Sequence, residues 1–264
     1  MEFALNHMSV ARMGFAGLLR AASELGCIGV EVRTDLPGPL FDGMSAGDAG
    51  ALARDAGLRL LALAEVSAFD DWTSDRRAQA QILMQTAAEA GAEAIALIPR
   101  CDDGTGDLVM ALRDLMPMLA DHGLTGLVEP LGFSASSLRL KRAALDAIDT
   151  LDASATLRLV HDTFHHHLSG EPDIFAAQTG IVHISGVTDP DVQTSEMTDA
   201  HRGLIDGADR LGNLNQIERL LTAGYTGPFS FEAFSPDFHA LPDPVGALRQ
   251  SMEFIRTRGS AQAA

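Results

Sequence analysis

Basic residues are scarce in this chain of 264: 19 Lys and Arg stand against 36 Asp and Glu, a formal charge of −17 at pH 7. A surface of that sign repels phosphate backbones, so a nucleic-acid partner is not expected. Cysteine is scarcer still. Cys27 and Cys101 stand alone, with no CxxC pair and none of the dense framework of small secreted proteins, so the expected setting is reducing and cytoplasmic. No apolar run approaches the ~18 residues of a membrane span, so no membrane partner is expected. The opening MEFALNHMSVARMGFAGLLRAA, with Glu2 near its start, lacks the long apolar stretch of a signal peptide. No GxGxxG loop follows the first strand-like segment, which argues against a dinucleotide-binding fold. What remains is 46% hydrophobic, long enough for one large core, and expected to be a soluble single domain over residues 1–264.

Short apolar runs alternate with longer segments whose apolar residues recur every three or four positions. The runs predict strands at 3–8, 28–33, 59–66, 94–99, 125–129, 157–162, 181–185 and 228–234. Helices are expected at 14–26, 45–57, 74–91, 107–122, 139–151, 171–178, 213–223 and 243–257. Gly57, Gly91, Gly123, Gly180 and Gly224 stand between a helix and the next strand, where a left-handed cap residue turns the chain back. Eight βα units in about 250 residues predict an α/β fold, a closed (β/α)8 TIM barrel, in preference to an open doubly wound sheet.

Such barrels place their chemistry at the C-terminal ends of the strands. Here those ends are polar: GLVE closes strand 5 with Glu129, LVHD closes strand 6 with Asp162, VHIS carries His183 in strand 7, and FSFE closes strand 8 with Glu232. One acid at a strand end usually caps the next helix or faces water. Four ligand-type residues on successive strands are a different matter, because three carboxylates converging in an apolar mouth repel one another unless a cation sits among them. The set predicts a single divalent metal ion, with Mn²⁺, Mg²⁺ or Co²⁺ favoured by oxygen-rich ligation and Zn²⁺ also admissible.

Four of the nine histidines crowd around Asp162 in LRLVHDTFHHHLSG. His161 precedes the proposed ligand and should point outward, towards the helices. His165, three residues beyond it, is placed to reach substrate or to orient a ligand, and His166 is expected in a solvated loop. His7 at the end of strand 1 and Trp72 after strand 3 are candidate pocket walls, Trp72 as an aromatic face for a sugar or cyclitol ring, with core packing the alternative.

The segments GVEVRTDLP, LLALAEV, HDTFHHHLSG, VHIS, TDAHR and FEAFSPDFH resemble the xylose isomerase-like superfamily of sugar isomerases and epimerases over nearly the whole chain, inosose (2-keto-myo-inositol) isomerases most of all. The resemblance implies Glu129, Asp162, His183 and Glu232 as metal ligands, the same four residues that the strand ends select. It implies Glu129 and Glu232 as the acid/base pair, and His165, His167 and Arg202 as substrate contacts. Two departures lie beside the expected substrate: Ser185 stands where many members carry an acid, and GLIDGADRLGN replaces most of a Pro-Gly-x-Gly turn after Arg202. The implied activity is proton transfer through an enediolate on a small keto-polyol or keto-sugar. The alternatives are epimerisation of another keto-sugar and a 3-dehydroshikimate dehydratase-like lyase. An endonuclease IV-type hydrolase would need a basic groove, and a purely sugar-binding barrel would not need paired acids. Assembly into a homo-oligomer is left open.

Overall fold

The computed structural model describes residues 1–102, 104 and 106–262. Eight parallel strands close into a barrel in chain order. They are β1 (Phe3–Asn6), β2 (Gly29–Arg33), β3 (Arg59–Ser67), β4 (Ala94–Ile98), β5 (Thr125–Val128), β6 (Leu157–Asp162), β7 (Thr179–Ile184) and β8 (Phe229–Phe231). Phe3, Ala4 and Leu5 pair with Phe229, Ser230 and Phe231, which joins the first strand to the eighth. The α-helices are α1 (Phe15–Leu25), α2 (Ala46–Asp55), α3 (Ser74–Ala90), α4 (Leu108–His122), α5 (Lys141–Thr150), α6 (Thr163–Ser169), α7 (Asn213–Thr222), α8 (Pro236–His239) and α9 (Pro244–Gln262). Among the described residues none is long and apolar enough to cross a membrane.

The period of two along each strand sorts the core into two compartments. Residues such as Val30, Val32, Leu63, Val128, Leu159 and Val182 face outward and pack with the helices. Leu127, Val160 and Ile181 form a separate apolar cluster with Ala4, Leu61, Ala62 and Ala94. Each of those three lies two residues before Glu129, Asp162 or His183, so it sits one step below that residue on the inner face. The barrel interior is therefore a packed plug that carries the polar strand ends on top.

Two expectations need correction. The helix after β6 is at Thr163–Ser169, not 171–178, because the Asp162 carboxylate accepts hydrogen bonds from the Phe164 and His165 amides and starts α6 at once, while Gly170 (φ 66°) stops it. The histidines thus lie on a helix, and His166 is buried with its ring 4.7 Å from that of His161 instead of solvated in a loop. Gly180 is not a cap either. It lies within β7, where a Cβ would come within 2.7 Å of a Leu127 methyl and 2.9 Å of the Arg158 Cβ. The glycine there lets neighbouring strands' side chains approach.

Candidate metal centre

Strand geometry brings the four polar ends to one place. Asp162 is in register with His183, and His183 with Ser230, two residues before Glu232. The Glu129 amide donates to the Leu97 carbonyl and the Glu232 amide to that of Ile184, so each residue continues its strand's ladder. All four side chains are buried, and one ligand atom from each lies within 4.8 Å of the others. Atoms bound 2.0–2.2 Å from a shared ion lie up to about 4.4 Å apart, so a small inward shift places all four on one cation.

Three of the four are anchored through the atom that faces away. Asp162 uses Oδ1 to cap α6. Glu232 Oε1 accepts from Arg33 (3.0 Å) and Asn6 (3.2 Å). His183 Nε2 donates to Glu31 Oε2 at 2.9 Å, and Glu31 Oε1 accepts from Ser230 Oγ at 2.5 Å. That leaves His183 Nδ1 facing Glu232 Oε2 at 3.3 Å and Glu129 Oε1 at 3.5 Å, buried and without a hydrogen bond. Glu129 has no such anchor among the described residues; His183 is its ion-pair neighbour.

Arg202 closes the cluster from above, donating to Asp162 Oδ2 at 2.5 Å, Glu232 Oε2 at 2.7 Å, Asp199 at 3.1 Å and receiving support from Ser185 Oγ at 3.2 Å. Its guanidinium is buried between Phe164 (5.1 Å) and Phe234 (4.4 Å). Ser185, where an acid was expected, therefore accepts a hydrogen bond from the arginine. Arg33 is committed in the same way, to Glu232, Glu65 and Asp35.

The electrostatics ask for a cation. Glu31, Glu129, Asp162 and Glu232 are four buried carboxylates against two guanidinium groups, an excess that one divalent ion neutralises. Burial, offset in part by His183, pushes the Glu129 carboxyl up to about 7. Burial works in the same direction on Glu232, yet His183, Arg202 and Arg33 hold it well below the usual carboxylate range. For His183, burial is outweighed by Glu31, Glu232 and Glu129, which raise its proton affinity well above that of an ordinary imidazole. Convergent ligand atoms, an unpartnered imidazole nitrogen and uncompensated negative charge all fit a divalent metal.

The other expected site residues are placed as follows. His165 is buried one turn from Asp162, its ring edge-on to Phe133 and Phe164, with burial lowering its pKa and Nδ1 left unpartnered. His167 is half-buried on the same helix and makes no hydrogen bond to the cluster among the described residues. His7 gives Nε2 to the Met13 carbonyl at 2.8 Å and lines a cavity of about 60 Å³ with Phe15, Arg33 and Phe41, beside the cluster instead of in it. Trp72 is not brought to the cluster: its indole N–H donates to Asp114 of α4 at 3.0 Å, and its ring packs on the apolar layer. Glu31, Arg33 and Asn6 were not singled out as cluster partners by the sequence reading. Their signal was legible, since a Glu and an Arg two apart within GVEVR share a face of a fully buried strand.

A closed parallel barrel with three carboxylates and one imidazole gathered at its C-terminal mouth defines a class of TIM barrels built around one candidate metal centre. Within that class the chain belongs to the xylose isomerase-like TIM barrel family, whose model matches residues 19–258. No curated protein matches the sequence. Among solved structures it is similar to a xylose isomerase domain-containing protein of Salmonella typhimurium LT2, at 27% identity over 98% of this chain and 97% of that one, with TM-score 0.90. It shares its fold with the IolI protein, crystallised with a bound zinc atom, at 18% identity and TM-score 0.85 over 98% and 99% of the two chains. It shares it also with the D-psicose 3-epimerase of Clostridium cellulolyticum H10, solved with D-tagatose, at 15% identity and TM-score 0.74 over 97% and 99%.

Proposed function

We propose that the protein is a divalent-metal-dependent isomerase or epimerase of an uncharged keto-polyol or keto-sugar, with 2-keto-myo-inositol the first substrate to test. The observation that carries the reading is the convergence of Glu129, Asp162, Glu232 and His183, whose buried Nδ1 faces Glu129 and Glu232 without a hydrogen bond. The zinc held by the IolI protein and the ketose in the D-psicose 3-epimerase support it through the shared fold.

Glu129, Asp162, His183 and Glu232 would hold the ion. When bound it would supply Lewis-acid polarisation of a substrate carbonyl, the change that makes the adjacent C–H acidic. Glu129, free of anchoring donors, is the carboxylate able to take that proton and turn with it. Glu232, pinned by Arg33, Asn6 and Arg202, stays ionised and fixed in place on the other side as a second base: it can receive a proton there, and Glu129, once protonated, is the group that returns one. Arg202 and His165 orient substrate oxygens, the first as a donor and the second as a neutral imidazole. The phenyl rings of Phe164 and Phe234 exclude water from around the guanidinium.

Both guanidinium groups at the cluster are already committed to carboxylates, and Asp35, Glu65 and Asp199 flank them. An anionic substrate group approaching either guanidinium would meet these carboxylates already seated on it, which disfavours a dehydratase of a carboxylate-bearing ring. The test is to incubate metal-loaded protein with 2-keto-myo-inositol and then with a panel of neutral ketoses in D₂O, following deuterium into carbon by NMR. Incorporation with a moved carbonyl or an inverted centre supports the reading; no exchange across the panel, with the metal demonstrably bound, overturns it.

A further inference from the structure

We infer that Glu31 is a positioning residue for the metal centre: it holds the His183 ring in the one tautomer and orientation that turns Nδ1 on the cluster. The inference rests on the reading of that cluster as a divalent-metal site.

Glu31 sits in the middle of β2, a strand with no exposed residue, and is itself 1% exposed. A carboxylate there has no contact with water, and it is not one of the four clustered ligand residues. Its two oxygens are nevertheless both engaged. Oε2 takes the Nε2 proton of His183 at 2.9 Å, and Oε1 takes the hydroxyl proton of Ser230 at 2.5 Å. Ser230 is buried and lies in register with His183 on the neighbouring strand, so the hydroxyl fixes the carboxylate beside the ring it serves.

With both Glu31 oxygens accepting, Nε2 is the ring nitrogen that gives its proton to the carboxylate, and Nδ1 is the one left to offer its lone pair to a cation, which would displace any proton held there. The negative charge also makes that lone pair a stronger donor. The rest of the cluster repeats the device with different chemistry, since Asp162 and Glu232 are likewise held by their rear oxygen. For the imidazole, the rear atom is held by a residue three strands away across the β8–β1 seam.

Glu31→Gln preserves shape and can still accept from Nε2 and bond Ser230, so the variant should fold; it removes only the charge. Metal affinity is read by competition with a chromogenic chelator, using Zn²⁺ and Mn²⁺ separately, and the visible spectrum of the Co²⁺-loaded protein reports the ligand field. The expected result is affinity weaker by about 10- to 100-fold and a shifted Co²⁺ spectrum, while the metal-free protein unfolds at a temperature no lower than that of the parent. Ser230→Ala, which loosens the carboxylate without discharging it, should give a smaller loss in the same direction. Affinity and Co²⁺ spectrum unchanged in Glu31→Gln would overturn the inference and leave the proposed function standing. A parent protein that takes up none of the three ions would overturn both.

Discussion

Two adjacent residues of β6 head two buried polar clusters of different kinds. His161 points outward, as the strand period predicts. Its Nδ1 accepts from Lys141 Nζ at 2.9 Å, its Nε2 donates to Gln216 at 2.9 Å, and the Gln216 amide donates to the Thr163 and Leu211 carbonyls. Burial, then Lys141, keeps that imidazole neutral, with its pKa well below the usual value. Within the Lys141–His161–Gln216 network every donor meets an acceptor, and the network ties α5 and α7 to the strand. Asp162 points inward to a set that is incomplete: surplus carboxylates, and an imidazole nitrogen that faces two of them without a hydrogen bond. Burial of ionisable groups is thus a poor guide to function by itself. Whether the set satisfies itself is what separates a structural network from a site that needs a guest.

Substitutions on the two faces should part activity from stability. The largest effect belongs to the inner face: Glu129→Gln or Glu232→Gln should lower kcat by about 10² or more while the protein stays folded. Near-normal turnover in both would sink their assignment. On the outer face, His161→Leu strands Lys141 and Gln216 in the interior. It should cost about 2–3 kcal/mol, measured as a lower denaturant midpoint with unchanged slope, and change kcat far less than Glu129→Gln does. Arg202→Ala sharpens the contrast within the site. It should raise KM by about tenfold for the loss of a charged hydrogen bond and lower kcat as well, because Glu232 loses one of the donors that pin it; an unchanged KM would remove Arg202 from substrate binding.

The smallest expected effect is one of pH. Burial lowers the Lys141 pKa from 10.5 to about 8. The unfolded chain then binds more protons than the folded one between those values. The cost of burying the ammonium is full below pH 8 and is relieved as pH rises from 8 through 10.5. Lys141→Met should abolish that upward drift in stability, measured by denaturant titrations across the window; a drift that survives would assign it to another group.

The barrel, and the residues that converge in it, were legible because both depend on local periodicity: eight βα alternations set the fold, and strand ends set the positions of Glu129, Asp162, His183 and Glu232. The helix after β6 was misplaced because Asp162 plays two parts at once, ligand candidate and helix cap, and the second went unread. Trp72 was assigned from its nearness to a strand end, but side-chain direction after a strand is decided by tertiary partners, here Asp114. Glu31 and Arg33 were visible as charges in a buried strand, yet their partners lie some 150 to 200 residues away in sequence. No local pattern encodes such a distance.

Closure of the ring also orders events in a newly made chain. Glu232 acquires its place only when β8 enters between β7 and β1, an insertion locked by the Ser9 hydroxyl, which donates to the Phe231 carbonyl and accepts from the Ala233 amide. A nascent polypeptide held on the ribosome short of residue 229 presents two open sheet edges and lacks its fourth carboxylate. The four-residue cluster is thus complete only once the eighth strand is in place, and a chain that stops short of it leaves two sheet edges unpaired.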